Sequence, residues 1–272
     1  MSSTPQLPPL ARLGQKTITD ALALGRRLDD RGIHDFREIQ LEIGLIEKAC
    51  GSALIRLGKT KVLVGVKVEE GKPFPDTPNE GVLTVNAELV PLASPSFEPG
   101  PPNENAIELA RVVDRGIRES KAIDLKSLCI EPGKKVLVVF VDVYVLDHDG
   151  NLIDASSIAS LAALLDAKIN EFAIENGEVI YKPELKPLPM QSQPVAMTLA
   201  KIDKTLIVDP SLDEEQVMNA RLTVTSDSEG RICAMQKGGS GVFTVEEIKQ
   251  GVALALSKAP EIRAKVVKAV RK

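Results

Sequence analysis

A chain of 272 residues, 43% hydrophobic and 26% charged, is long and apolar enough for a substantial core, since a chain of this size typically buries about 75% of its unfolded surface. Its net charge of −4 excludes a generally basic nucleic-acid coat and confines any such contact to a local patch, while 3% aromatics without Trp disfavour base stacking on a sheet face. No apolar run approaches the ~18 residues of a membrane helix and no basic-then-apolar secretory segment opens the chain, so a cytoplasmic location without membrane contact is expected.

After a proline-bearing leader, Ile18, Leu22, Leu24 and Leu28 predict a short helix that stops near Gly32, and residues 39–46 read as a strand. Residues 52–57, 61–69 and 82–90 read as further strands, the first two joined by a hairpin turn at Gly58-Lys59-Thr60 and the last two by a longer loop. Pro99, Pro101 and Pro102 then hold an extended approach to a helix starting near Glu104, capped by Asn103 or Asn105. At about 100° per residue, Ala106, Leu109, Ala110, Val112, Val113 and Ile117 share one side of that helix, and Arg111, Arg115 and Arg118 share the other. Those arginines have two readings. Glu108, Asp114 and Glu119 stand three or four residues away and suit a salt-laced exposed face, whereas guanidinium forks one turn apart suit a phosphate track.

Residues 135–146 form a β-branched run, Asp149-Gly150 a turn, and the next helix is expected over 155–169. Residues 181–194 hold four prolines and read as the link between two halves. Beyond it come strands at 195–202 and 205–208, an acidic helix at 212–218, and strands at 221–225 and 231–236. A final helix follows, with Thr244 and Glu247 as its capping box and Pro260 expected to break or kink it. Strands followed by a helix recur in both halves. The fold class is therefore α+β with pseudo-duplicated β-α units, and the antiparallel hairpins disfavour a doubly wound parallel sheet. The division expected is a leader over 1–26, a first half over 27–180 and a second half over 195–272.

Cys50, Cys129 and Cys233 lack a paired spacing and read as buried reduced thiols, and His34 and His148 lie in no triad or metal motif. No catalytic group, metal or cofactor is assigned. Gly238-Gly239-Ser240-Gly241 before a capped helix could cradle an anion, but no Lys-Ser/Thr pair of a nucleotide loop follows and a connector is the plainer reading. Asp209, Asp213, Glu214 and Glu215 could bind magnesium or supply a general acid, or could simply favour a helix dipole. Asp147, Asp149 and Asp154 lack calcium-loop spacing and look like turn chemistry.

Taken together, DFREI from Asp35, GSALIRLGKTKVLVGV from Gly51, DTPNEG from Asp76, FEPGPPNENAIELARVVDRGIRESKAIDL from Phe97 and IVDPSLDEE from Ile207 resemble the RNase PH family. More narrowly, they resemble its non-catalytic members in the archaeal exosome core. The resemblance implies an RNase PH-like fold of the ribosomal protein S5 domain 2-like kind. It also implies an alternating hexameric ring of three heterodimers with a catalytic RNase PH-like subunit, RNA-binding cap subunits, and phosphorolytic decay of RNA from its 3′ end. Arg111, Arg115 and Arg118 would then be RNA-binding residues.

Active members of that family carry Gly-Thr-Arg where this chain has Asn151-Leu152-Ile153, and an Asp where it has Glu215. Leu and Ile offer a phosphate no side-chain donor, forfeiting charge-assisted bonds of about 1.5–3 kcal/mol each. The longer Glu arm displaces a carboxyl by about one bond length, where an error of about 1 Å can cost 100-fold in rate. Both departures imply a subunit without activity of its own; the alternative is an active phosphorolytic exoribonuclease.

Overall fold

The computed structural model describes residues 9–175 and 178–271. The elements run α1 (Pro9–Ala23), β1 (Ile39–Ile43), β2 (Gly51–Leu57), β3 (Thr60–Gly71), β4 (Val82–Leu89), α2 (Glu104–Glu119), β5 (Cys129–Glu131), β6 (Lys135–Asp147) and α3 (Leu152–Asp166). They continue with β7 (Lys168–Glu175), β8 (Glu178–Pro187), β9 (Val195–Ile202), β10 (Thr205–Val208), α4 (Leu212–Val217), β11 (Ala220–Ser226), β12 (Ile232–Gly238) and α5 (Val245–Val270).

The first sheet has the order β1-β2-β3-β6-β4, with β5 paired to β6; the second has the order β10-β9-β11-β12. Pairing in both is antiparallel except between β4 and β6, whose parallel register is reached by a crossover through α2. Leu57 pairs with Thr60 across a tight turn, and the alternating apolar residues of β2 and β3 turn Ile55, Leu57, Val62, Val64 and Val66 into the core.

α3 lies between the two sheets, packing on β2 and β3 on one side and β9 on the other. It is apolar all round because it is covered all round, with Ile158, Leu161 and Leu164 essentially inaccessible. Ala259, Ile262 and Val266 of α5 join the same core, so the last helix closes over the first half. Ile18 and Leu22 of α1 instead pack on Ile202, Ile207 and Val217 of the second half.

Several expectations need correction. The first helix ends at Ala23, and Leu24 and Leu28 are exposed. α3 begins at Leu152, three residues earlier than expected, and gives way to β7 after Asp166. The stretch 181–194 is not all linker: its first part belongs to β8, which among the described residues pairs with β7 in a two-stranded ribbon, a setting that tolerates Pro183 and Pro187. α5 runs unbroken through Pro260. Pro inside a helix costs about 3 kcal/mol, but the buried neighbours Ala259 and Ile262 and Arg263, which donates to the carbonyls of Gln193 at 2.8 Å and Asp227 at 2.7 Å, hold it in place. The three cysteines are free but half-buried rather than buried.

Candidate functional site

α2 forms as its sequence demands. Asn103 is the cap, its Oδ1 accepting from the Ala106 N–H at 3.0 Å, and Ala106, Leu109, Val112, Val113 and Ile117 are buried. The opposite face carries Arg111, Arg115 and Arg118, all exposed. Of the three ion pairs that spacing allows, one forms: Arg118 binds Asp114 at 2.6 Å and also donates to the Leu83 carbonyl at 3.0 Å. The Asp114 hydrogen bond raises the Arg118 pKa further. Glu108 pairs instead with Arg221 of β11 at 2.5 Å, and Arg115 donates to Gln236 of β12 at 3.2 Å. Arg111 has no hydrogen-bond or ion-pair partner among the described residues. Arg111 and Arg115 stand on a ridge between two grooves, one of about 660 Å³ along edge strand β4 and one of about 420 Å³ toward β12, and line both.

A second cluster is buried where the 27–37 segment, the β6–α3 turn and the β10–α4 turn meet. Gly150 makes the turn possible: its φ is +87°, and a Cβ there would lie 2.5 Å from the Leu212 nitrogen. The carboxylate of Asp209 is inaccessible to solvent. It accepts from Arg37 Nε at 3.0 Å, Arg37 Nη2 at 2.8 Å, the Arg37 main-chain N–H at 2.8 Å, Arg31 Nη1 at 2.9 Å and Asn151 Nδ2 at 2.7 Å. Burial alone would raise its pKa, but the hydrogen bonds and charge of Arg37 outweigh that and hold it below the usual range. Arg27 forms a buried ion pair with Glu214, which also closes the capping box of α4 with Ser211.

Two other carboxyls of the cluster behave oppositely. Asp154 accepts from Asn151 Nδ2 and the Thr198 N–H, both at 2.9 Å, and sits 2.7 Å from Thr198 Oγ1. Burial nonetheless pushes it to about 7. Glu215 accepts from the Asn151 N–H at 2.9 Å and is likewise pushed by burial to about 7.

The acidic residues singled out in the sequence thus scatter among separate tasks. Asp147 pairs with Lys61 and Asp149 with Arg37, while Asp213 is exposed. Ile153 belongs to the core, with no polar atom to offer a ligand. Gly239 and Gly241 fit tightly against Asn219, where a Cβ on Gly241 would lie 2.7 Å from the carbonyl oxygen, and Gly238 packs against the Arg221 side chain, which accounts for these glycines without a phosphate. Sequence reading misses the role of Arg27, Arg31 and Arg37, whose partners lie some 180 positions away in the chain.

Among the described residues no helix is long and apolar enough to cross a membrane. The descriptions "3′ exoribonuclease family, domain 1" and "domain 2" match residues 35–170 and 192–258. The exosome complex component Rrp42 of Pyrococcus horikoshii is 59% identical over 257 residues, covering 94% of both chains. That of Thermococcus kodakarensis is 54% identical over 267 residues, covering 97% of this chain and 98% of the relative. Among solved structures, a chain of the Archaeoglobus fulgidus exosome with RNA bound to the active site superposes with a TM-score of 0.87 at 45% identity, covering 95% of this chain and 99% of that one. A chain of an archaeal exosome core gives 0.84 at 42% identity, covering 94% and 97%. With both domain descriptions matched in order and relatives of this identity aligned end to end, the chain belongs to the RNase PH, or 3′ exoribonuclease, family.

Proposed function

We propose that this chain is a non-catalytic subunit of an archaeal-type exosome, a cytoplasmic phosphorolytic 3′-to-5′ exoribonuclease ring, dividing as 27–180 and 195–272 behind its leader. It pairs with an active RNase PH-like subunit in a ring of three heterodimers beneath RNA-binding cap subunits, and brings RNA to the partner's site. Relatives named as exosome components and the superposition on exosome cores support the assembly. The observation that carries the non-catalytic reading is Asp209. Its two oxygens accept five hydrogen bonds, three of them from Arg37, so the carboxylate is held ionised and has no proton to give a leaving group.

The α2 ridge supplies the RNA contact through Arg111 and Arg115, with Arg118 adding the part of its fork that Asp114 leaves open. Changing Arg111 and Arg115 together to Ala should weaken single-stranded RNA binding by the assembled ring at every sequence. The salt dependence should flatten by about 0.7 for every phosphate no longer held. Titrations of mutant and parent rings at several salt concentrations, with melting in parallel, check it. Unchanged affinity and slope in an intact ring would return the ridge to a solvated face, since exposed pairs alone are worth at most about 1 kcal/mol.

A further inference from the structure

On α2, Glu108 precedes Arg111 by three residues and Glu119 follows Arg115 by four, spacings at which helices form ion pairs. Neither pair forms among the described residues, and in both cases the second half of the chain supplies the competing partner. Glu108 is taken by Arg221 of β11 at 2.5 Å, and Arg115 turns to the neutral amide of Gln236 on β12 at 3.2 Å. Glu108, Arg111 and Arg115 line the same groove toward β12, so a carboxylate stands beside the two guanidiniums and its charge is met from another element.

The route of Arg221 is built into the sheet. Arg221 stands opposite Gly238 in the β11–β12 pair, and a Cβ on Gly238 would lie 2.7 Å from Arg221 Nε and 3.0 Å from its Cγ and Cζ. Glycine at that position lets the side chain lie across β12 and reach α2. The Arg221 side chain is 22% exposed, so solvent screens its pair with Glu108 less than a pair on the open surface. A guanidinium held by a carboxylate one turn away offers a phosphate fewer donors, and the carboxylate itself repels the phosphate. We infer, resting on the RNA reading of the α2 ridge, that Arg221 is a positioning residue: by holding Glu108 it keeps Arg111 open to a backbone phosphate.

Assembled rings carrying each variant, titrated with single-stranded RNA at several salt concentrations and melted in parallel, test this. Arg221→Gln should weaken binding at least about threefold and flatten the salt dependence by about 0.7, the share of one phosphate, although Arg221 holds no phosphate itself. Adding Glu108→Gln to that variant should restore parental affinity and slope, a rescue that lost packing would not show. In an Arg111→Ala ring, where no guanidinium is left to keep open, Arg221→Gln should have no further effect. Arg221→Met, which keeps the apolar stem over Gly238, takes the place of Arg221→Gln should the latter disturb the ring. Parental binding by the Arg221 variant beside weakened binding by Arg111→Ala overturns the inference alone. Parental binding by Arg111→Ala overturns the RNA reading beneath it as well. A weakening that Glu108→Gln does not restore, or that persists in the Arg111→Ala ring, makes Arg221 a direct contact or a prop of the fold and equally overturns the inference.

Discussion

Replacing Arg37 with alanine should cost the folded chain about 3–5 kcal/mol, the loss expected when one partner of a buried ion pair is removed and the other stays. Arg37 contributes three of the five hydrogen bonds on Asp209. Its side chain also donates to the Asp149 carbonyl at 2.6 Å and the Gly150 carbonyl at 3.3 Å. The variant keeps the main-chain bond but leaves an inaccessible carboxylate with only Arg31 and Asn151 beside it. Urea denaturation should show a lower midpoint at unchanged slope. Arg56→Ala, which breaks an exposed pair with Glu42, is the control and should change stability by less than about 1 kcal/mol. A loss at Arg37 no larger than at Arg56 would mean that the cluster does not clasp the 27–37 segment to the second half.

The second large effect concerns pH. Asp154 titrates near 7 in the fold against an ordinary 3.8, so the folded chain holds its proton more tightly than the unfolded one. Its stabilising contribution is complete below pH 3.8 and is lost as pH rises through about 7, on the order of 1.4 kcal/mol per unit across that window. In Asp154→Asn the new oxygen can accept from Asn151 and Thr198 N–H and the new amide can donate to Thr198 Oγ1, as the protonated acid does. The variant should therefore gain stability over the parent from about pH 4 to about pH 7 and then level off, by a few kcal/mol in all. Parallel stability curves for the two proteins would show that Asp154 is ionised throughout.

How legible the chain is depends on whether a segment's partners are local. The start of α2 is legible to the residue because the prolines, the Asn103 cap and a one-sided apolar stripe all lie within its own stretch. The start of α3 is displaced by three residues in the sequence reading because a helix covered on all sides has no polar face to mark its period, and because its entry is Asn151 at φ 53°. β5 and the β7–β8 ribbon escape notice because short or edge strands carry weak alternation and, in β8, two prolines. Pro260 misleads for the opposite reason: a strong local signal is overruled by packing at Ala259, Ile262 and Val266. The shared exposed face of Arg111, Arg115 and Arg118 on α2 is readable from their spacing. The clasp on Asp209 is not, since nothing near Arg27, Arg31 or Arg37 announces a carboxylate so far along the chain.

The central claim, that the site built around Asp209 has been turned from catalysis to structure, is tested most directly by incubating the pure chain with single-stranded RNA and orthophosphate. Nucleoside diphosphates are followed as they form. None should appear from this chain alone, and release should begin once the active RNase PH-like partner is added. Sustained phosphate-dependent release by the isolated chain, abolished by Asp209→Ala in a variant that still folds, would contradict the account.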